Sequence, residues 1–271
     1  MDIKSFFDDV DHELFMKALD RHVEEKWAKM YVKRWLEMPV MEKSGHLRVK
    51  EGKGAPQGGV ISPLLANLFL HYVLDAWILR NYPEITHVRY ADDVIIHCRS
   101  EAEAQYVLGA VKNRLQQCNL QLHDGKTKIV YCQDYKREKK RHRKKFDFLG
   151  FSFRPRLMKS KRTEGGKFLG YDCAISIDSR KKILNAIKAT KLQKWSNATI
   201  EELARILNPK LAGWVNYFGK YGKYELSRVF HRRLKWVLNR YKSLRGSIKS
   251  AYGYLRQLQK GNPIFYHWKQ G

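Results

Sequence analysis

Residues 87–98 read HVRYADDVIIHC, two short β-prone runs that meet at Ala91, Asp92 and Asp93. Runs of this kind with so short a break form a hairpin. A tight hairpin ordinarily carries Asn-Gly or Asp-Gly at its tip, because those residues accept positive φ. This one offers an alanine and two adjacent like charges, and local rules broken in this way point to function. A third acid can join them. Asp2 lies in another β-prone run, and if that run sits beside the hairpin, Asp2, Asp92 and Asp93 converge. Carboxylates crowded together repel unless a cation binds. Hard oxygen donors suit Mg²⁺, and two such ions about 3.5–4 Å apart stabilise both the attacking and the leaving oxygen in phosphoryl transfer. An Asp-Asp pair in a turn is most often merely solvated, so the surrounding residues have to decide.

The chain has 271 residues, of which 44% are hydrophobic and 13% aromatic, enough for one large domain or two ordinary ones. No uninterrupted apolar run approaches the roughly 18 residues of a membrane span, and Asp2, Lys4, Asp8 and Asp9 are unlike a signal peptide. Cys98, Cys118, Cys132 and Cys173 are scattered, which argues against a zinc site or disulfide framework and fits a reducing cytoplasm. The net charge of +26 is unevenly placed: Lys plus Arg against Asp plus Glu is 18 to 18 over residues 1–132, 14 to 5 over 133–172 and 21 to 4 over 173–271. Such a field favours a polyanion, above all nucleic acid.

Residues 2–7 read as a strand running into a turn. Helices are expected over 12–19 and 26–37, the second with Trp27, Met30, Tyr31, Arg34 and Trp35 near helical spacing. A hairpin or loop follows over 45–54. Ser62 and Pro63 open a helix as N-cap and first helical residue. Ser100 and Glu103 form a capping box for a helix to about residue 118. Strands are expected over 128–132 and 146–153, flanking a solvated loop at 134–145 with eight Lys or Arg in twelve residues. Beyond about residue 173 the pattern turns helical, with a helix capped by Asp178 or Ser179, a capping box at Thr199 and Glu202, and apolar faces through Leu211, Trp214, Val215, Phe218, Leu226 and Phe230. The order predicts an α+β sheet domain over 1–172 and a basic helical bundle over 173–271.

Tyr90-Ala91-Asp92-Asp93 in a hairpin resembles the active-site motif of reverse transcriptases, and other blocks occur in the matching order. Residues 2–8, DIKSFFD, are similar to the first catalytic block. Residues 55–67, APQGGVISPLLAN, are similar to the block that positions template and incoming nucleotide. Residues 126–130, KTKIV, and 148–151, FLGF, match later palm blocks. Residues 207–218, LNPKLAGWVNYF, are similar to the maturase-specific segment. The chain resembles the group II intron reverse transcriptase/maturase family from Asp2 onward.

The resemblance implies an antiparallel-sheet palm with packed helices, then a basic helical thumb, or maturase X domain. It implies Mg²⁺, with Mn²⁺ as the alternative, held by Asp2, Asp92, Asp93 and the Ile3 carbonyl. The Ser5 and Phe6 amides would face the triphosphate, and Phe7 would bar a ribonucleotide 2′-hydroxyl and so favour dNTPs. Gln57 would contact nucleotide or template, with Gly58 and Gly59 letting backbone approach closely. Tyr90 would abut the primer end. Lys126 would donate a proton to the leaving pyrophosphate or hold it by charge. Phe148, Leu149 and Gly150 would grip the primer. Arg228, Arg232, Arg233, Lys235 and Arg240 would meet phosphates of a hybrid duplex or intron RNA, contacts that position rather than specify.

Family members carry a fingers segment before the first catalytic Asp, here residue 2. The expectation is a chain lacking most of the fingers: a remnant, half of a split protein whose other chain supplies them, or a fragment. No nuclease domain is expected after the thumb. Two readings follow. One is an RNA-directed DNA polymerase that also binds intron RNA and assists splicing; the other is a splicing cofactor or inactive remnant without chemistry of its own.

Overall fold

The computed structural model describes residues 1–41, 44–49, 51–56, 58–133, 135, 143–159, 166–191, 199–222, 225–226, 229–230, 259 and 265–266. Gln57, most of the basic loop at 134–145, and Arg228, Arg232, Arg233, Lys235 and Arg240 lie outside the described residues. The chain is α+β and falls into two compact units, Met1–Ile129 and Val130–Gly271.

In the first unit a short helix α1 (Phe6–Asp9) leads to α2 (His12–Leu19). Asp11 caps α2 by accepting from the Leu14 amide at 2.8 Å, and α2 buries Phe15, Ala18 and Leu19. Helix α3 (Lys26–Glu37) has the expected bounds. Its buried residues are Val32 and Leu36, whereas Trp27, Tyr31 and Trp35 line the outside, Trp27 edge-on to Tyr31 and Tyr31 tilted against Trp35. The i, i+4 spacing of the aromatics was real, but the smaller branched residues fit the core. A two-stranded pair, β1 (Val40–Met41) with β2 (Leu47–Arg48), precedes the long apolar segment.

That segment consists of α4 (Ser62–Leu70), a π-helical turn (His71–Asp75) and α5 (Ala76–Asn81). Ser62 is not the N-cap. It is the first helical residue, following Ile61, and its hydroxyl is buried without a hydrogen-bond partner among the described residues. By length and composition Ser62–Asn81 could cross a membrane. Its apolarity has another explanation: Leu65, Phe69, Leu70, Val73, Leu74 and Ile78 form the centre of the unit's core. Then come β3 (His87–Tyr90) and β4 (Asp93–Ile96), paired antiparallel, and α6 (Glu101–Gln117). Ser100 accepts from the Glu103 amide as expected; the Glu103 carboxylate reaches back to the Arg99 amide, one residue beyond a standard box.

The second unit holds an antiparallel sheet of β5 (Phe146–Phe148), β6 (Phe151–Lys159) and β7 (Lys167–Ile175). Residues 128–132 are not a strand. The single strand expected over 146–153 is a hairpin, because Leu149 (φ 49°) and Gly150 (φ 79°) both turn left-handed. Positive φ at both central residues is the condition for a type I′ turn, whose twist suits a two-residue hairpin. Helix α7 (Ile177–Ala189) is capped by Ser176, which accepts from the Ser179 amide, rather than by Asp178 or Ser179. Helix α8 (Ile200–Phe218) opens on the expected Thr199–Glu202 capping box. Its buried ridge of Leu203, Leu207, Leu211 and Val215 packs with Ile175 and Ile183. This packing joins the sheet to the helices after it, so the compact division falls at 129/130, ahead of the pattern change near 173.

Candidate active site

The acids are brought together by backbone pairing. The Met1 nitrogen donates to the Val94 carbonyl at 2.7 Å, and the Val94 amide donates back to the Met1 carbonyl at 3.1 Å. A mutual exchange of this kind is a hydrogen-bonded antiparallel pair, which sets Asp2 opposite Asp93. On the other flank Ile3 bridges Leu122, with Lys4 N to Gln121 O at 2.8 Å and His123 N to Asp2 O at 2.9 Å. Residues 1–4 thus run between β4 and the 121–123 segment. Alternation sends the Ile3 side chain into the core, where it is 3% exposed, and Asp2 to the opposite face.

The electrostatics record the crowding. Partial burial, then the charges of Asp92 and Asp2, push the Asp93 carboxyl above its usual range, while the Met1 ammonium and Lys126 pull it back. Burial lowers the Met1 ammonium, against the attraction of Asp93 and Asp2. Lys126 Nζ lies 3.1 Å from Asp2 Oδ2. An all-carboxylate set suits a hard divalent cation in kind, and mutual repulsion is what a cation would relieve. Among the described residues, though, no group of three His, Cys, Asp or Glu side chains is spaced to hold a metal ion. The lysine at Asp2 already supplies a positive partner.

The hairpin tip is built economically. Tyr90 pairs with Asp93, so Ala91 and Asp92 form the two-residue loop. The positive φ falls on Ala91 (52°) and not on either acid. Holding an L-residue there costs roughly 1–2 kcal/mol. Tyr90 is 64% exposed beside the acids.

Segment 52–55 is strapped to the α1–α2 region: His12 N to Gly52 O at 3.0 Å, Gly54 N to Val10 O at 2.7 Å and Ala55 N to Phe7 O at 2.6 Å. The block that starts at Ala55 is thereby delivered beside Phe7. Phe7 is half-buried, 5.4 Å from the fully buried Phe6 ring in edge contact. Ser5 turns left-handed (φ 46°) before α1 and is exposed. Gly58 is left-handed as well. Its φ is 85°, but a side chain there would meet open space, so the demand is conformational. At Gly59 the crowding is within the chain, since a Cβ would stand 2.6 Å from Ser62 Oγ.

In the second unit Phe148 closes β5 opposite Phe151, the Leu149 carbonyl accepts from Tyr217 Oη at 2.9 Å, and the Gly150 carbonyl accepts from the Ser176 amide at 2.9 Å. The sequence singled out neither Arg89 nor Asp75. The one available signal was an arginine inside a β-prone run leading into the tip.

The family described as reverse transcriptase (RNA-dependent DNA polymerase) matches residues 1–153, and the group II intron maturase-specific domain matches residues 180–253. The chain belongs to the group II intron reverse transcriptase/maturase family. It is 30% identical to protein YkfC of Escherichia coli K12 over 49% of this chain and 43% of that protein. It is 33% identical to the group II intron-encoded protein LtrA of Lactococcus lactis subsp. cremoris over 29% of this chain and 13% of that protein. The matches thus span less than half the length of either relative.

Proposed function

We propose that this chain is an RNA-directed DNA polymerase of a group II intron that also binds intron RNA and assists splicing. The observation that carries the reading is the placement of Asp2 opposite Asp93, next to Asp92, by the Met1–Val94 exchange. The 3′ oxygen of a DNA primer paired to an RNA template attacks the α-phosphate of a dNTP, and pyrophosphate leaves. Asp2, Asp92, Asp93 and the Ile3 carbonyl would hold two Mg²⁺ ions, or Mn²⁺, whose part is to stabilise the attacking and leaving oxygens. Phe7 bars the 2′-hydroxyl, the Ser5 and Phe6 amides with Gln57 and Gly58 hold the nucleotide, and Lys126 meets the pyrophosphate. Tyr90 and the turn at Phe148, Leu149 and Gly150 hold the primer. The palm function belongs to 1–172 and the thumb to 173–271, where Arg228, Arg232, Arg233, Lys235 and Arg240 meet RNA phosphates. The cytoplasm is the compartment of this reading; Cys98, Cys118 and Cys173 are not in disulfides.

A second reading, a splicing cofactor without chemistry or an inactive remnant, is favoured by the Lys126–Asp2 ion pair and the lack of a chelating trio among the described residues. Primer extension on poly(rA) with oligo(dT) separates the two. Incorporation lost in Asp92→Ala supports the polymerase. No incorporation, with tight intron RNA binding, supports the cofactor; a separate chain supplying fingers is then tested by adding it back.

A further inference from the structure

The hairpin tip that carries Asp92 is held from behind by one side chain. Arg89, on β3, is 11% exposed, and its guanidinium spends four of its five N–H donors on three different elements. Nε and Nη2 fork onto Asp75 Oδ1 and Oδ2 at 2.8 and 2.5 Å. Nη1 donates to Asn67 Oδ1 at 2.8 Å and to the Ala91 carbonyl at 3.1 Å. Ala91 is the left-handed residue of the tip, so its conformation is secured by a tertiary contact rather than by its own preference. Asp75 ends the π-helical turn, a geometry frequent at functional sites. Arg114 on α6 donates to the Val73 and Tyr72 carbonyls at 3.0 and 3.3 Å, supporting that turn from its other side.

We propose that Arg89 and Asp75 are positioning residues: through the Ala91 carbonyl they fix the tip and so the placement of Asp92 and Asp93, with Arg89 touching no substrate. The inference rests on the polymerase reading for its effect on rate, but not for its effect on the tip. Lysine cannot substitute, because a single ammonium cannot span a carboxylate fork, an amide and a carbonyl in one plane.

The test uses the whole chain and the variants Arg89→Lys, Arg89→Ala and Asp75→Asn. The first readout is hydrogen exchange by mass spectrometry over a peptide covering residues 87–97. All three variants are expected to exchange faster there than wild type, with peptides from α2 and α6 unchanged. The second is primer extension: kcat should fall roughly 10–100-fold, KM for dTTP should change less than about threefold, and the Mg²⁺ requirement should rise. Unchanged exchange over 87–97, or Arg89→Lys matching wild type in it, overturns the proposal. So does a loss confined to KM, which would make Arg89 a substrate contact. If wild type itself extends no primer, the polymerase reading falls, and exchange alone decides the clamp. A variant that fails to fold is replaced by Asn67→Ala, which removes one arm of the same network and should raise exchange over 87–97 more modestly.

Discussion

Lys126 Nζ lies 3.1 Å from Asp2 Oδ2, so one acid of the cluster already has a positive partner. That partner is a competitor for any cation and also a group placed to meet a leaving anion. Lys126→Met separates these roles. In primer extension, kcat should fall by roughly 10–100-fold if the lysine assists departure of pyrophosphate, while the Mg²⁺ concentration for half-maximal rate should drop. Stability should move by less than about 1 kcal/mol, because the lysine is largely exposed.

Asp93 should cost stability at neutral pH. In the unfolded chain it ionises at the ordinary aspartate value; in the folded chain burial and its acidic neighbours make it hold its proton to higher pH. Stability is therefore lost as pH rises from the unfolded value through the folded one. Asp93→Asn should raise Tm at about pH 7 by roughly 1–3 °C, and the gain should shrink towards zero as pH approaches ~3.9. Thermal melts across that range check both sign and window. An equal gain at all pH values would assign the effect to something other than charge.

The contact between Gly59 and Ser62 predicts an uncommon double-variant pattern. Gly59→Ala puts a methyl 2.6 Å from Ser62 Oγ and should destabilise by roughly 1–3 kcal/mol. Ser62→Ala should be near neutral or stabilising, because the buried hydroxyl has no hydrogen-bond partner among the described residues. The double variant should recover most of the loss. Urea titrations of the four proteins give the coupling directly.

Leu149 stands at a left-handed position that asparagine occupies at lower cost. Leu149→Asn should therefore stabilise by about 1 kcal/mol. If the side chain grips the primer, the same substitution should raise KM for primer–template several-fold. A gain in stability with primer affinity unchanged would assign the leucine no part in the grip.

Binding of intron RNA should weaken steeply with salt, as the release of counterions requires. Arg232→Ala combined with Arg233→Ala should lower affinity across unrelated RNA sequences alike and reduce the slope of log K against log salt by roughly 1–2. Filter binding at a series of salt concentrations measures it. A loss specific to one RNA would instead mark base-edge readout.

What the sequence disclosed depended on range. Local signals carried well: helices 12–19 and 26–37, the Thr199–Glu202 box and the hairpin at 87–96 follow from capping chemistry and periodicity. From the residues alone Asp2 and Asp93 met only on the condition that their two runs lie side by side, and the family resemblance supplied that condition, since no local rule pairs residues so far apart. The facing of α3 was not legible because Trp27, Tyr31 and Trp35 share a stripe as regular as a core stripe, while Val32 and Leu36 are the residues buried. The turn at Leu149 and Gly150 was hidden because leucine gives no hint of positive φ. Arg89 and Asp75 escaped notice since an ion pair across fourteen residues leaves no periodic trace.

The π-helical turn at His71–Asp75 has a consequence for chain length. It accommodates one residue more than a regular helix would over the same span. Deleting a single residue there would let the backbone revert to ordinary winding with the facing of all that follows preserved, whereas deleting one within the regular turns of α4 would swing everything downstream by about 100° about the axis. In the second case Ile78, now in the core, would rotate toward water, and the carboxylate of Asp75 would leave its arginine. Loss of one residue should therefore be absorbed better between Leu70 and Asp75 than between Ser62 and Leu70.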